Sequence, residues 1–226
     1  MNIKHVFFDL DHTLWDFETN SAKTFEKIFE LHKVDVDFDK FLIDYKKINF
    51  KYWRLFRNNL VTKEELRYKR LKDTFDQLNF SISDELISSL SEDYINYLPM
   101  FNFLFDGTIE ILEYLKPKYR LHIITNGFSE VQSIKMKNSK LDKYFDIIVT
   151  SESVGVKKPN PEIFEYALSQ ANATIEESVM IGDSWEADIM GAQNVGMKPI
   201  FCNFEKNEVD NSILSIQNLI ELKKYL

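Results

Sequence analysis

Six glycines in 226 residues is well under half of the usual share of ~7%. Proline occurs five times and cysteine once. A chain this poor in glycine and proline is neither collagen-like nor a low-complexity linker, and a single thiol excludes a disulfide-stapled scaffold. Cys202 lies in a short apolar run and reads as a small buried hydrophobe. No stretch reaches the ~18 apolar residues a membrane-spanning helix needs. The first ten residues have neither the apolar core nor the cleavage site of a secretory signal. The expectation is a soluble, cytoplasmic protein without a membrane partner. Positive charge is also short: 28 basic against 36 acidic residues give a formal charge of -8. That field repels phosphate backbones and argues against a nucleic-acid polymer as partner. A small anionic substrate then needs a local device, such as a metal ion or a helix N-terminus.

What is present is a core-forming chain, 44% hydrophobic and 14% aromatic. The glycines are unevenly placed. All six fall between Gly107 and Gly196, and the first 106 residues have none.

Ile3 to Asp9 reads as a short buried strand with a polar exit. Further strand-like runs are Arg120 to Thr125, Ile147 to Ser151, Ser178 to Gly182 and Pro199 to Cys202. Helical stripes lie between them, such as Ile111, Leu112 and Leu115, or Ile163, Phe164, Ala167 and Leu168. Asn160-Pro161 supplies a cap and a first-turn proline to the second of these. Gln217 to Tyr225 reads as a closing helix. Alternating strands and helices predict an α/β fold with a doubly wound parallel sheet.

About 85 residues interrupt the first strand-helix crossover, which ordinarily needs ~30 in all. They carry apolar residues at helical spacing, among them Phe38, Phe41, Tyr45, Tyr52 and Phe56. Thr62 with Glu65 spells a capping box, and Ser83 caps a further helix. The expectation is a core made of residues 1-14 and 100-226, with residues 15-99 forming an inserted helical cap. The plainer alternative is extra helices without a functional role.

Ligands in doubly wound sheets bind beyond the carboxyl ends of the strands, and four polar clusters fall there. Asp9-Leu10-Asp11-His12-Thr13 follows the first strand; its two carboxylates suit a nucleophile and a proton carrier, or merely a polar exit. Thr125-Asn126-Gly127 suits a phosphate oxygen, or an ordinary turn. Lys157-Lys158-Pro159-Asn160-Pro161 sets an ammonium before a capped helix N-terminus, or forms a solvated pair. Gly182-Asp183 with Asp188 five residues on suits a hard cation, or an aspartate capping a helix.

Asp-x-Asp-x-Thr, Thr-Asn-Gly, Lys-Pro and Gly-Asp-x4-Asp, in this order, resemble the four motifs of the haloacid dehalogenase (HAD) phosphohydrolase superfamily. The resemblance covers about Ile3 to Met197, and the place of the insert is similar to subclass I with its C1 cap. It implies Asp9 as nucleophile, forming an aspartyl-phosphate, with Asp11 as general acid and then base. It implies Thr125, Asn126 and Lys158 on the phosphoryl group, with Lys158 favoured over Lys157 because it directly precedes the proline. It further implies Mg²⁺ held by Asp9, Asp11 (through its carbonyl) and Asp183, with Thr13 and Asp188 behind them. An aspartate at position 11 favours phosphate esters over carbon-halogen bonds.

The segment Asp9 to Phe17, with Thr-Asn-Gly-Phe and Val-Gly-Val-Lys-Lys-Pro-Asn-Pro, is similar to bacterial pyrimidine 5′-nucleotidases of the superfamily. The implied partner is a small phosphomonoester, such as a nucleoside 5′-monophosphate, with the protein a monomer or weak homodimer. Trp15, Asp16 and Phe17 are candidates for cap-side specificity; the two rings either stack on a base or pack as a hinge. Four of the five arginines (Arg54, Arg57, Arg67 and Arg70) fall in the insert, either to meet an anionic group or, better, as a solvated face. A sugar-phosphate phosphatase, a phosphomutase and a catalytically silent binding protein are the alternatives.

Overall fold

The computed structural model describes residues 2–206, 208 and 212–226. Residue 1, which begins the expected range 1-14, and residues 207 and 209–211, inside the expected range 100-226, lie outside the described residues. Among the described residues, six strands form one sheet: β1 (His5–Phe8), β2 (Arg120–Thr125), β3 (Ile147–Thr150), β4 (Ser178–Gly182), β5 (Lys198–Cys202) and β6 (Ser215–Ile216). Their order is β3-β2-β1-β4-β5-β6, and every pairing is parallel. β1 and β4 are buried along their whole length, as the near-continuous apolar sequences of parallel strands require. The chain leaves β1 toward β2 on one side and returns from β3 to β4 on the other. The order therefore reverses at β1, and this switch point is where open α/β sheets bind ligands.

The helices are α1 (Phe17–His32), α2 (Phe38–Arg57), α3 (Lys63–Gln77), α4 (Asp84–Tyr97), α5 (Thr108–Leu115), α6 (Ser129–Asn138), α7 (Ser151–Val154), α8 (Pro161–Ala171) and α9 (Gly191–Asn194). The chain divides into two compact units, Met1–Phe17 with Asn102–Leu226, and Glu18–Phe101.

In the first unit, Ile163, Phe164, Ala167 and Leu168 of α8 pack with Phe7, Ile124, Val149 and Met180 of the sheet. Asn160 caps α8, its Oδ1 accepting from Glu162 N at 2.9 Å, and Pro161 takes the first turn. The closing helix expected over Gln217 to Tyr225 is a shorter 3₁₀ segment, Leu219–Lys224, and β6, just before the expected range, pairs with β5. Asn218 accepts from Glu221 N and caps the 3₁₀ segment, which so starts after it rather than at Gln217.

The second unit is all helical. The capping box forms in both directions, Glu65 N to Thr62 Oγ1 at 3.1 Å and Thr62 N to Glu65 Oε2 at 3.0 Å. Ser83 Oγ accepts from Leu86 N at 3.2 Å. Phe25 is the hub of an aromatic core, its ring 4.8 Å from Phe41, 4.5 Å from Tyr45 and 4.7 Å from Tyr94. Arg70 departs from the solvated face expected of the arginines: it is 2% exposed. Its Nη1 donates to Asn49 Oδ1 at 3.0 Å, and its guanidinium lies 4.7 Å from the Tyr94 ring centre. Arg54 is exposed, and Arg57 and Arg67 are half-buried.

Candidate active site

Asp9 immediately follows β1, and its N–H still bonds to Ile181 O at 2.9 Å, which fixes the turn-off point beside β4. The next residues fold tightly. Leu10 O accepts from both Leu14 N and Trp15 N at 2.9 Å, and His12 N donates to Trp15 O at 3.0 Å. His12 takes the left-handed conformation this reversal needs, with φ 62. The loop thus contains no glycine because a histidine, one of the side chains that tolerates this region better, fills the position.

Lys158 is the centre of the site. It is 1% exposed, and its Nζ donates to Asp9 Oδ1 at 2.8 Å and to Ile124 O at 2.6 Å. Asp188 Oδ1 lies 2.6 Å away as an ion pair, and that oxygen has no aligned hydrogen bond. The lysine's backbone is held separately. Asn126 Oδ1 accepts from Lys158 N at 2.8 Å, and Asn126 Nδ2 donates to Lys158 O at 3.0 Å. The amide expected on a phosphoryl oxygen is therefore occupied with gripping the main chain of the lysine loop. Lys157 is only half-buried, and burial lowers its pKa.

Asp183 follows β4 and accepts from Thr13 Oγ1 at 3.2 Å. Asp188 is fully buried, and its Oδ2 accepts from Ser184 N at 3.0 Å. A Cβ on Gly182 would fall 2.3 Å from Asp188 Oδ2, so the carboxylate occupies the space that the missing side chain leaves. Carboxylate oxygens of Asp9, Asp183 and Asp188 lie within 4.8 Å of one another. Asp188, expected behind the other two, joins them.

Three carboxylates thus face one ammonium. Burial pushes Asp9 up to about 7, with Lys158 opposing the rise and Asp188 adding to it. Burial and the neighbouring Asp9 and Asp188 push Asp183 well above its ordinary range. Burial opposes the charge on Lys158, but Asp188 and Asp9 together outweigh it and raise the pKa. Such an all-oxygen, electron-rich donor set fits a hard divalent cation.

Asp11 points elsewhere. Its Oδ1 accepts from Lys135 Nζ at 2.6 Å, and its Oδ2 accepts from Gln132 Nε2 at 2.8 Å. Gln132 Nε2 also donates to Thr125 Oγ1 at 2.8 Å, and Gly127 N donates to the same hydroxyl at 3.1 Å. A hydroxyl that accepts two hydrogen bonds has its own proton left to donate, which suits Thr125 to an anionic oxygen. The sequence reading missed Gln132 and Lys135. The available signal was their spacing of three, which puts both on one face of the helix after Thr-Asn-Gly.

Trp15 is wholly buried, Phe17 is buried, and Asp16 is half-buried with its N–H on Phe103 O at 3.1 Å. The indole lies under the Lys135 ammonium, 3.9 Å from ring centre to Nζ, so packing rather than an open stacking face describes it. Cys202 is buried at the end of β5, and burial drives its thiol well above the usual range.

A haloacid dehalogenase-like hydrolase profile matches residues 3–196. The chain belongs to the haloacid dehalogenase-like hydrolase family. It is 32% identical over 225 residues to the pyrimidine 5′-nucleotidase YjjG of Escherichia coli strain K12, covering 98% of this chain and 96% of that protein. It is 31% identical to the glyceraldehyde 3-phosphate phosphatase of Methanothermobacter thermautotrophicus, covering 99% of this chain and all of the relative. Among solved structures, the magnesium-bound HAD-hydrolase YfnB of Bacillus subtilis superposes with a TM-score of 0.90 at 28% identity, over 100% of this chain and 99% of that one. The doubly wound α/β expectation and the family resemblance are both borne out. Among the described residues, no helix is long and apolar enough to cross a membrane.

Proposed function

We propose that this family member is a Mg²⁺-dependent phosphomonoesterase working through an aspartyl-phosphate, with a nucleoside 5′-monophosphate as substrate. The observation that carries the reading is Asp9 at the switch point, held by Lys158 and ringed by Asp183 and Asp188. Asp9 and Asp183, with the backbone carbonyl of Asp11, are the groups to hold the magnesium ion, which when bound supplies positive charge against the phosphoryl oxygens. Asp9 attacks phosphorus, and the bond from phosphorus to the leaving oxygen breaks as Asp11 gives that oxygen a proton. Water then loses a proton to Asp11 and attacks phosphorus. The bond to Asp9 breaks, inorganic phosphate departs, and both aspartates return to their starting state.

Spontaneous hydrolysis of phosphate monoesters is slow enough to call for up to ~10²¹-fold acceleration. General acid catalysis supplies about 10²–10⁴ of that. Positioning and preorganised charge must supply most of the rest. Lys158 and the Thr125 hydroxyl are the groups placed for that work, with Asn126 fixing the lysine.

The nucleotide substrate rests on the similarity to YjjG. A phosphorylated triose is the second reading, supported by the archaeal glyceraldehyde 3-phosphate phosphatase at nearly the same identity. Phosphate release with Mg²⁺ from nucleoside monophosphates, sugar phosphates and glyceraldehyde 3-phosphate tests both. The nucleotides are expected to give the highest kcat/KM. Preference for the triose overturns the substrate, an isomerised sugar phosphate without free phosphate points to a mutase, and no release from any compound points to a silent binding protein. Asp9→Asn is expected to lower kcat by about 10⁴-fold or more while the protein stays folded. Substantial residual turnover would refute the nucleophile.

A further inference from the structure

Lys135 is a second buried lysine that the scheme above does not use. Its side chain is 3% exposed, yet its ammonium is not part of the Lys158 cluster. It meets Asp11 Oδ1 at 2.6 Å, above the Trp15 ring at 3.9 Å and 5.4 Å from the Phe17 ring centre. One turn earlier on α6, Gln132 uses one amide nitrogen to bridge Asp11 Oδ2 and Thr125 Oγ1, each at 2.8 Å. Each oxygen of Asp11 therefore has its own donor, both donors stand on one helix face, and both are almost wholly buried. A buried ion pair is a poor way to gain stability, because desolvating two charges offsets their attraction. Fixing a reacting carboxylate is a better use of it, since small misplacements of an acid-base group are costly. The indole beneath the ammonium replaces part of the lost hydration.

We infer that Lys135 is a positioning residue for Asp11. With Gln132 it fixes both carboxylate oxygens relative to Thr125, so that proton transfer and phosphoryl binding share one rigid frame anchored on α6. The inference rests on reading Asp11 as the group that protonates the leaving oxygen.

The test compares two leaving groups with the Mg²⁺-loaded full chain. p-Nitrophenyl phosphate releases a weakly basic phenolate that needs little protonation. A nucleoside 5′-monophosphate releases a strongly basic alkoxide that needs a proton. Lys135→Met is expected to lower kcat on the nucleotide at least about 10-fold more than on the aryl phosphate, with KM changing little. Lys135→Arg, which keeps the charge, should recover most of the loss. In an Asp11→Asn background, Lys135→Met should cost less than about twofold further, because the two act as a unit. Equal losses on the two substrates, or full additivity with Asp11→Asn, would overturn the inference and leave a structural lysine. If Asp11→Asn itself fails to discriminate between the substrates, the proton-donor reading falls and takes the inference with it. Gln132→Met, which leaves the lysine in place, gives the same comparison should Lys135→Met not fold: a larger loss on the nucleotide supports the shared frame, and equal losses oppose it.

Discussion

The sheet unit and the helical unit each bury a cation, and they compensate it differently. Lys158 in the sheet unit is answered by carboxylates: Asp9 at 2.8 Å and Asp188 at 2.6 Å. Arg70 in the helical unit forms no ion pair among the described residues; it has Asn49 at 3.0 Å and the faces of Tyr94 and Tyr45. Beside these and Lys135, the buried His122 on β2 avoids the problem by staying neutral. Burial, helped by His5, lowers its pKa to about 4, and His5 Nδ1 lies 3.0 Å from its Nε2. The contrast separates a charge answered by other charges from one answered by an amide and aromatic faces. Lys158 holds Asp9 and a carboxylate cluster in place, whereas Arg70 fills a gap between aromatic rings with a flat, weakly hydrated group.

Substituting each cation by a neutral residue of similar length exposes the difference. Lys158→Met leaves Asp9 and Asp188 buried without their counter-charge, and about 3–5 kcal/mol of stability should be lost, read from the urea midpoint. A loss below ~1 kcal/mol would mean that the carboxylates do not depend on the lysine. The pH response of His122 comes next. It is neutral in the folded protein down to about 4, while the unfolded group takes up its proton near 6.5. The unfolded chain therefore binds more protons across that window, so stability is full above 6.5 and is lost as pH falls toward 4. His122→Gln should flatten the fall, and an unchanged slope between the two proteins would assign it to other groups. The smallest effect is expected for Arg70→Met, about 1–2 kcal/mol, from the unpaired Asn49 oxygen and the lost cation–ring contact. A loss as large as that of Lys158→Met would remove the distinction.

Strand ends were readable because parallel strands are short apolar runs and their polar exits stand out. Asp9, Thr125 and Asp183 each come at or directly after such an exit, whereas Lys158 comes only after α7 has followed β3. The five expected strands recur at the observed positions, with β1 shortened to His5–Phe8. The missed groups have a physical reason. Gln132 and Lys135 lie in mid-helix, where a glutamine and a lysine ordinarily face solvent, and their spacing of three shows a shared face without showing that it turns inward. Arg70 looked solvated for the same reason. The role of Asn126 was hidden because its partner is the main chain of a residue far along the sequence, and a backbone group carries no sequence signature. β6 went unread because two residues are too few to show a period.

The grip of Asn126 on Lys158 has an architectural consequence. Both hydrogen-bonding groups of the amide close on the peptide groups of the lysine, across 32 positions of sequence. The main chain that carries the ammonium is thereby located by a contact made at the end of β2, not by the length of chain leading to it. Of what lies between the two in sequence, β3 is paired to β2 and α6 carries Gln132 and Lys135 to Asp11, so it is the connecting loops that fall outside that closed link. Lengthening or shortening those loops leaves the address of the lysine unchanged as long as the two partners still meet. The main chain of the lysine is thus insulated from length changes in the connecting loops by one side-chain amide.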